Sequence, residues 1–115
     1  MSQHKVAENR RLERLTLYIK VFDNETNSLL GHTANIHTDG MMLVTQGQLS
    51  LNKDYNLRLE HVRDDFRKIS ISLFAKGLWN KTSHNSNDHN IGFQFHDLSH
   101  SDSVAIVELI DELSA

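Results

Sequence analysis

The sequence predicts an all-β domain with one C-terminal helix, the strands closing into an antiparallel barrel. Three observations carry this. Short stretches of apolar–polar alternation recur from Leu15 to Phe95, and a period of two is that of half-buried strands. Polar turn clusters separate these stretches at short intervals. Beyond Phe95 the period changes, and apolar residues recur at helical spacing as far as Leu113. Closure is favoured because it removes the sheet edges that such strands would otherwise expose.

The elements follow in order. Residues 1–7 are short and polar, a mobile N-terminal arm by composition, and residues 8–115 make the barrel domain. Glu8 to Arg14 suits a helical turn or an extended loop. Leu15 to Phe22 alternates strictly, with Leu15, Leu17, Ile19 and Val21 on one face. Asp23 to Ser28 is a turn by composition. Leu29 to His37 resumes as a strand, Ala34 and Ile36 pointing one way and Thr33, Asn35 and His37 the other. Asp39-Gly40 is a turn dipeptide whose glycine is free to take positive φ. Met41 to Thr45 is the next strand, and Gln46 to Asp54 a loop broken by Gly47 and Asn52.

Tyr55 to Val62 alternates with Leu57 and Leu59 inward, and Arg63 to Lys68 is a charged hairpin end. Ile69 to Trp79 is the longest run. Ile69, Ile71, Leu73 and Ala75 share its inner face, while Ser70 and Ser72 point outward. Lys81 to Asn90 is polar and loop-like, and Ile91 to Phe95 gives a last strand with Phe93 and Phe95 in the core. In the final segment Val104, Ile106 or Val107, Leu109 or Ile110, and Leu113 form the apolar stripe. Ser101 is the expected N-cap, with Asp102 in the first turn. Such a helix covers a barrel mouth or the barrel wall.

Bulk properties exclude several classes of function. A chain of 115 residues is one domain. It has no cysteine, which removes disulfides, thiolate chemistry and Cys-based zinc sites. A net charge of −3 argues against a general nucleic-acid binder, though it permits a local basic patch. No apolar run approaches the ~20 residues of a membrane helix, and Met1 to Lys5 lacks the apolar stretch of a secretory signal. A cytoplasmic protein without membrane insertion is therefore expected. Eight histidines are present: His96 and His100 lie four apart, and His84 and His89 cluster with Asn85 and Asp88. A metal needs at least three convergent ligands, so scattered surface histidines are the better reading, with no metal and no cofactor. No nucleophile, base and orienting group stand in a defensible pattern, so no enzyme is expected.

Two constellations stand out. Arg10, Arg11 and Arg14 form a basic cluster just before the first strand. Guanidinium groups bind phosphate and the outer edge of guanine in a planar, bidentate way, and they stack on bases. Taken alone, the cluster is better explained as a solvated turn with Glu8 and Glu13 as partners. The turn from Asn35 to Gly40 places an amide and an imidazole beside a glycine, yet alone it is an ordinary β-turn. Trp79 suits either the core or a stacking wall.

Together the two elements resemble the PilZ domain family, bacterial receptors for the second messenger cyclic di-GMP. The family pattern is Arg-x-x-x-Arg followed by Asp/Asn-x-Ser-x-x-Gly. Here it stands as Arg10-Arg11-Leu12-Glu13-Arg14 and Asn35-Ile36-His37-Thr38-Asp39-Gly40. The resemblance continues through Trp79 at the end of a long strand, Gly92-Phe93-Gln94-Phe95, and a C-terminal helix over Val104 to Leu113.

The resemblance implies a six-stranded antiparallel barrel with a terminal helix. The ligand would sit on the outside of the barrel, clasped by the N-terminal arginines. Arg10 and Arg14 would contact phosphates and guanines, with Arg11 assisting. Asn35 would hydrogen-bond a guanine, and Gly40 would permit the turn and the close approach of the ligand. Trp79 and Gly92 complete the implied site. Cyclic di-GMP is then the ligand, a protein of unknown identity the downstream partner, and motility or biofilm output the process regulated. One position departs from the pattern: His37 stands where the family has Ser. That departure supports an alternative, an adaptor of the same fold that acts through protein partners and does not bind the nucleotide.

Overall fold

The computed structural model describes residues 19–63, 65–82 and 88–114. Six strands close into an antiparallel barrel: β1 (Lys20–Asp23), β2 (Ser28–Ile36), β3 (Gly40–Thr45), β4 (Asp54–Val62), β5 (Lys68–Thr82) and β6 (His89–His96). Around the barrel the order is β1-β2-β3-β6-β5-β4, with β4 pairing back onto β1. The strands exist where the alternation requires them. Val21, Leu43, Leu57, Leu59, Ile71, Leu73, Ala75, Ile91, Phe93 and Phe95 fill the interior, together with Ile19 just ahead of β1. Tyr55 meets Phe93 edge to face, ring centroids 5.7 Å apart. β5 and β6 run further than the alternation indicates, taking Lys81, Thr82, His89 and Asn90 from the expected loop. Leu15 and Leu17 lie outside the described residues, as do residues 1–7 and the His84–Asn85 part of the histidine cluster.

Two β-bulges change which way side chains point. In β2 the register shifts between Thr33 and Asn35. Thr33 is consequently buried while Asn35 is exposed, so the two do not share a face, contrary to simple alternation. In β5 the register shifts between Gly77 and Trp79. Trp79 has the parity of the core residues Leu73 and Ala75, yet the extra residue turns it outward, and Leu78 and Trp79 are both partly exposed. A bulge inserts one unpaired residue and re-aims everything after it.

Helix α1 (His100–Ser114) follows β6. Ile106, Leu109 and Leu113 join the barrel core, with Ala105 and Ile110 beside them, whereas Val104 and Val107 face outward. Arg63 of the β4–β5 turn reaches Glu112 at 2.8 Å. The helix therefore covers the barrel end that carries this turn. The cap is Ser99 rather than Ser101: its Oγ accepts from the backbone N–H of Asp102 at 3.1 Å, and its carbonyl accepts from that of Ser103 at 3.0 Å. The apolar stripe alone does not reveal this, because Ser99 and Ser101 are both good capping types and the helix begins one turn earlier than the stripe. Ser99→Ala is expected to cost about 1 kcal/mol in a urea melt, and Ser101→Ala much less.

The wall of β1 and β4 is locked by Arg58. Its guanidinium donates to Glu60 at 2.7 Å, to Asn24 at 2.8 Å and to Asn27 at 2.7 Å, and it lies over the Phe22 ring. Asn27, with φ of 58°, makes the tight corner between β1 and β2.

His96 ends β6, on the approach to α1, and faces Asp54 of β4. Its Nδ1 lies 3.1 Å from Asp97, and its Nε2 lies 3.1 Å from Asp54 without the alignment of a hydrogen bond. Its pKa is raised, chiefly by the hydrogen bond with Asp97; partial desolvation opposes this, and the charges of Asp54 and Asp97 add to it. A raised folded pKa means the stabilisation is complete below the ordinary imidazole value and is lost as pH rises through the raised one. The thermal midpoint is expected to fall as pH rises above the ordinary imidazole range, and to fall less in His96→Gln.

Candidate functional site

The two bulges turn Asn35 and Trp79 toward one stretch of the outer wall. Asn35 of β2 pairs with Met42 of β3, Met42 pairs with Gly92 of β6, and Gly92 pairs with Trp79 of β5. These four residues form one transverse row on the outer wall, although in sequence they run from position 35 to position 92. The β2–β3 turn closes one side of the row. There the backbone N–H of His37 donates to the Gly40 carbonyl at 2.8 Å, and that of Phe95 donates to the Asp39 carbonyl at 2.9 Å. The result is an open hollow of about 370 Å³, lined by Asn35, His37, Asp39, Gly40, Met42, Leu78, Trp79, Gly92 and Gln94, with Met41 and Phe93 beneath. That volume is within the range of small-molecule sites.

Each glycine has a local reason. A side chain on Gly92 would occupy the space of the Trp79 indole, so the missing Cβ lets the ring lie against the sheet. Gly40 was expected to supply positive φ, and it does not: no described glycine has positive φ. Instead a Cβ on Gly40 would run into the Phe93 carbonyl of β6. Its role is the close approach of β3 to β6, which holds the turn down at the rim of the hollow.

Of the residues singled out in the sequence, Asn35, His37, Gly40, Trp79 and Gly92 all line this hollow. Arg10, Arg11 and Arg14 lie outside the described residues. Four lining residues were not anticipated: Asp39, Met42, Leu78 and Gln94. Strand alternation could have placed Met42 and Gln94 outward, but nothing in the chain says that β3 lies beside β6. The floor is apolar, from Met42, Leu78 and Trp79, and suits a flat ring. The rim is polar, with an amide from Asn35 and another from Gln94. A carboxylate and an imidazole, Asp39 and His37, are the ionisable groups of the lining. An anionic ligand here needs cations from elsewhere in the chain.

A larger hollow, about 610 Å³, lies at the opposite end of β2 and β3 between Leu29, Leu30, Val44 and Leu49. It contains none of the sequence-predicted residues, and its size alone gives it no chemistry. Among the described residues, no three His, Asp or Glu side chains converge as a metal site, and no helix is long and apolar enough to cross a membrane.

Comparison with known proteins bears on the same region. No curated protein is significantly similar to the chain. The barrel is similar to the structure of the inhibitor of motility MotI/DgrA of Bacillus subtilis, at 15% identity and a TM-score of 0.64, over 84% of this chain and 46% of that one. It is similar to YcgR of Escherichia coli in complex with c-di-GMP, at 13% identity and a TM-score of 0.62, over 84% of this chain and 41% of that one. The isolated PilZ domain of YcgR with c-di-GMP matches at 13% identity and a TM-score of 0.58, over 84% of this chain and 81% of that one. The chain thus spans a little under half the length of the first two proteins. At such identities the likeness is one of fold. Sequence carries the assignment further, since the family model for the PilZ domain matches residues 8–112, and the chain belongs to the PilZ domain family.

Proposed function

We propose that this chain is a non-catalytic receptor module that binds cyclic di-GMP on the outer wall of its barrel. The observation that carries the reading is convergence: Asn35, His37, Gly40, Trp79 and Gly92, chosen from separate stretches of sequence, border one hollow. The YcgR PilZ domain, of the same fold, is known with c-di-GMP, which supports the same ligand class. In the complex one guanine lies on the Met42–Trp79 floor, where base–aromatic stacking is worth about 1–3 kcal/mol. The Asn35 amide meets its edge. Arg10 and Arg14, with Arg11 assisting, fold over the wall and supply the permanent cations that the described lining lacks. Fixing that segment changes the surface offered to a protein partner, an ordering switch of a known kind.

The test is a thermal melt with added cyclic di-GMP. At a ligand concentration about 100 times Kd the stabilisation is about 2.7 kcal/mol, a rise on the order of 10 °C for a domain of this size. A flat response at millimolar nucleotide refutes the reading. It favours the second one, an adaptor of the same fold acting only through protein partners. The observation on that side is His37 in place of the family Ser, with the Asp39 carboxylate on the same rim.

A further inference from the structure

We propose that His37 makes nucleotide binding at this site proton-linked, so that the chain holds an anionic guanine dinucleotide more tightly as pH falls. The inference rests on the function proposed above and adds a regulator to it. The lining contains two ionisable side chains, His37 and Asp39. Both sit on the β2–β3 turn, whose backbone is pinned by the His37–Gly40 and Phe95–Asp39 hydrogen bonds. Among the described residues the elements packed around them bring no further charge into the hollow: β3 contributes Met41 and Met42, β6 contributes Gly92, Phe93 and Gln94, and β5 contributes Leu78 and Trp79. The charges added by Arg10, Arg11 and Arg14 in the proposed complex are permanent and do not change across the imidazole range. Two exposed lysines of β5 flank the hollow in the strand registers, Lys76 opposite Gln94 and Lys81 opposite Asn90, and neither lines it.

The charge of the described lining is therefore −1 with a neutral imidazole (Asp39 alone) and 0 with an imidazolium (Asp39 plus His37). The ligand's two phosphodiesters stay anionic across the whole range in which imidazoles titrate. An imidazolium donates from both ring nitrogens, while a neutral ring presents one donor and one lone pair, and the lone pair repels phosphate. Binding the anion thus favours the protonated ring. By linkage, affinity is highest below the imidazole range and falls as pH rises through it, by at most about tenfold per pH unit for one proton. A serine at this position has no charge to change.

The experiment is calorimetric titration of the whole chain with cyclic di-GMP from about pH 5.5 to about pH 8, the span in which imidazoles change charge. Near neutrality the titration is repeated in two buffers of different ionisation heat, which counts protons taken up. Wild type is expected to weaken about tenfold or more across the span, with a fraction of a proton taken up per nucleotide bound. His37→Ser is expected to bind with neither slope nor uptake; His37 is exposed, so the barrel tolerates the change. Asp39→Asn is expected to bind more tightly at every pH and to keep the slope. Binding by wild type without proton uptake, or a slope that survives in His37→Ser, overturns the linkage alone. No heat from any variant at any pH overturns instead the assignment of the ligand.

Discussion

Arg14→Ala is expected to lower affinity for cyclic di-GMP by at least about 100-fold, and Arg10→Ala by a similar factor, while the melting temperature without ligand stays unchanged. The argument is one of charge. The hollow offers a stacking floor and two amides, but among the described residues its lining carries a carboxylate and no permanent cation. Two phosphodiesters brought to that surface need guanidinium partners. Each hydrogen bond to a charged group is worth about 1.5–3 kcal/mol net, and a guanidinium makes two in parallel; about 2.7 kcal/mol is already a factor of 100. The described barrel closes and fills its core without these arginines, so stability should not follow affinity. Calorimetry decides it: variants that bind within about threefold of wild type would remove the arginines from the site.

Gly40→Ala is expected to be the most damaging single-methyl change in the binding region. The new Cβ would be driven into the Phe93 carbonyl of β6, and a backbone atom cannot swing aside as a side chain can. Relief requires β3 and β6 to part at the end of their ladder, where Gly40 faces Gln94. A cost of about 2–4 kcal/mol is reasonable for an overpacked buried position, measurable by urea denaturation, with nucleotide affinity falling as the rim shifts. A second variant separates the two possible reasons for a glycine. Were positive φ the requirement, Gly40→Asn would be tolerated much better than Gly40→Ala, because Asn enters the left-handed region readily. Close approach predicts that Asn is at least as harmful. An asparagine variant as stable as wild type would overturn the packing account.

The way the fold was legible explains why part of the site was not. In β4 and most of β5, alternation from Tyr55 to Ala75 runs true, and every inward residue is buried except Ile69, which is half-buried. The same rule fails at Asn35 and Trp79, one residue beyond a bulge in each case. Bulges carry little local signal, since Ala34 and Leu78 are unremarkable strand residues. Both nevertheless re-aim a side chain toward the hollow, which is why Trp79 could be assigned from sequence to either the core or the wall. The Ser99 cap shows a milder form of the same problem, because two serines compete and only the backbone decides which one starts the helix.

By itself the sequence determined the barrel, its terminal helix and the core, because burial with a period of two or of 3.6 is written in the order of residues; the family came from the spacing of two short motifs, Arg10 to Arg14 and Asn35 to Gly40. Through the resemblance it also grouped Asn35, His37, Gly40, Trp79 and Gly92 with Arg10, Arg11 and Arg14, which lie outside the described residues. Only the tertiary structure decided that the first five meet in space, that Asp39, Met42, Leu78 and Gln94 join them, and that Gly40 serves packing rather than a strained turn. The physical reason is that neighbours across a sheet are set by strand order and register, and β3 beside β6 is a long-range pairing with no local code.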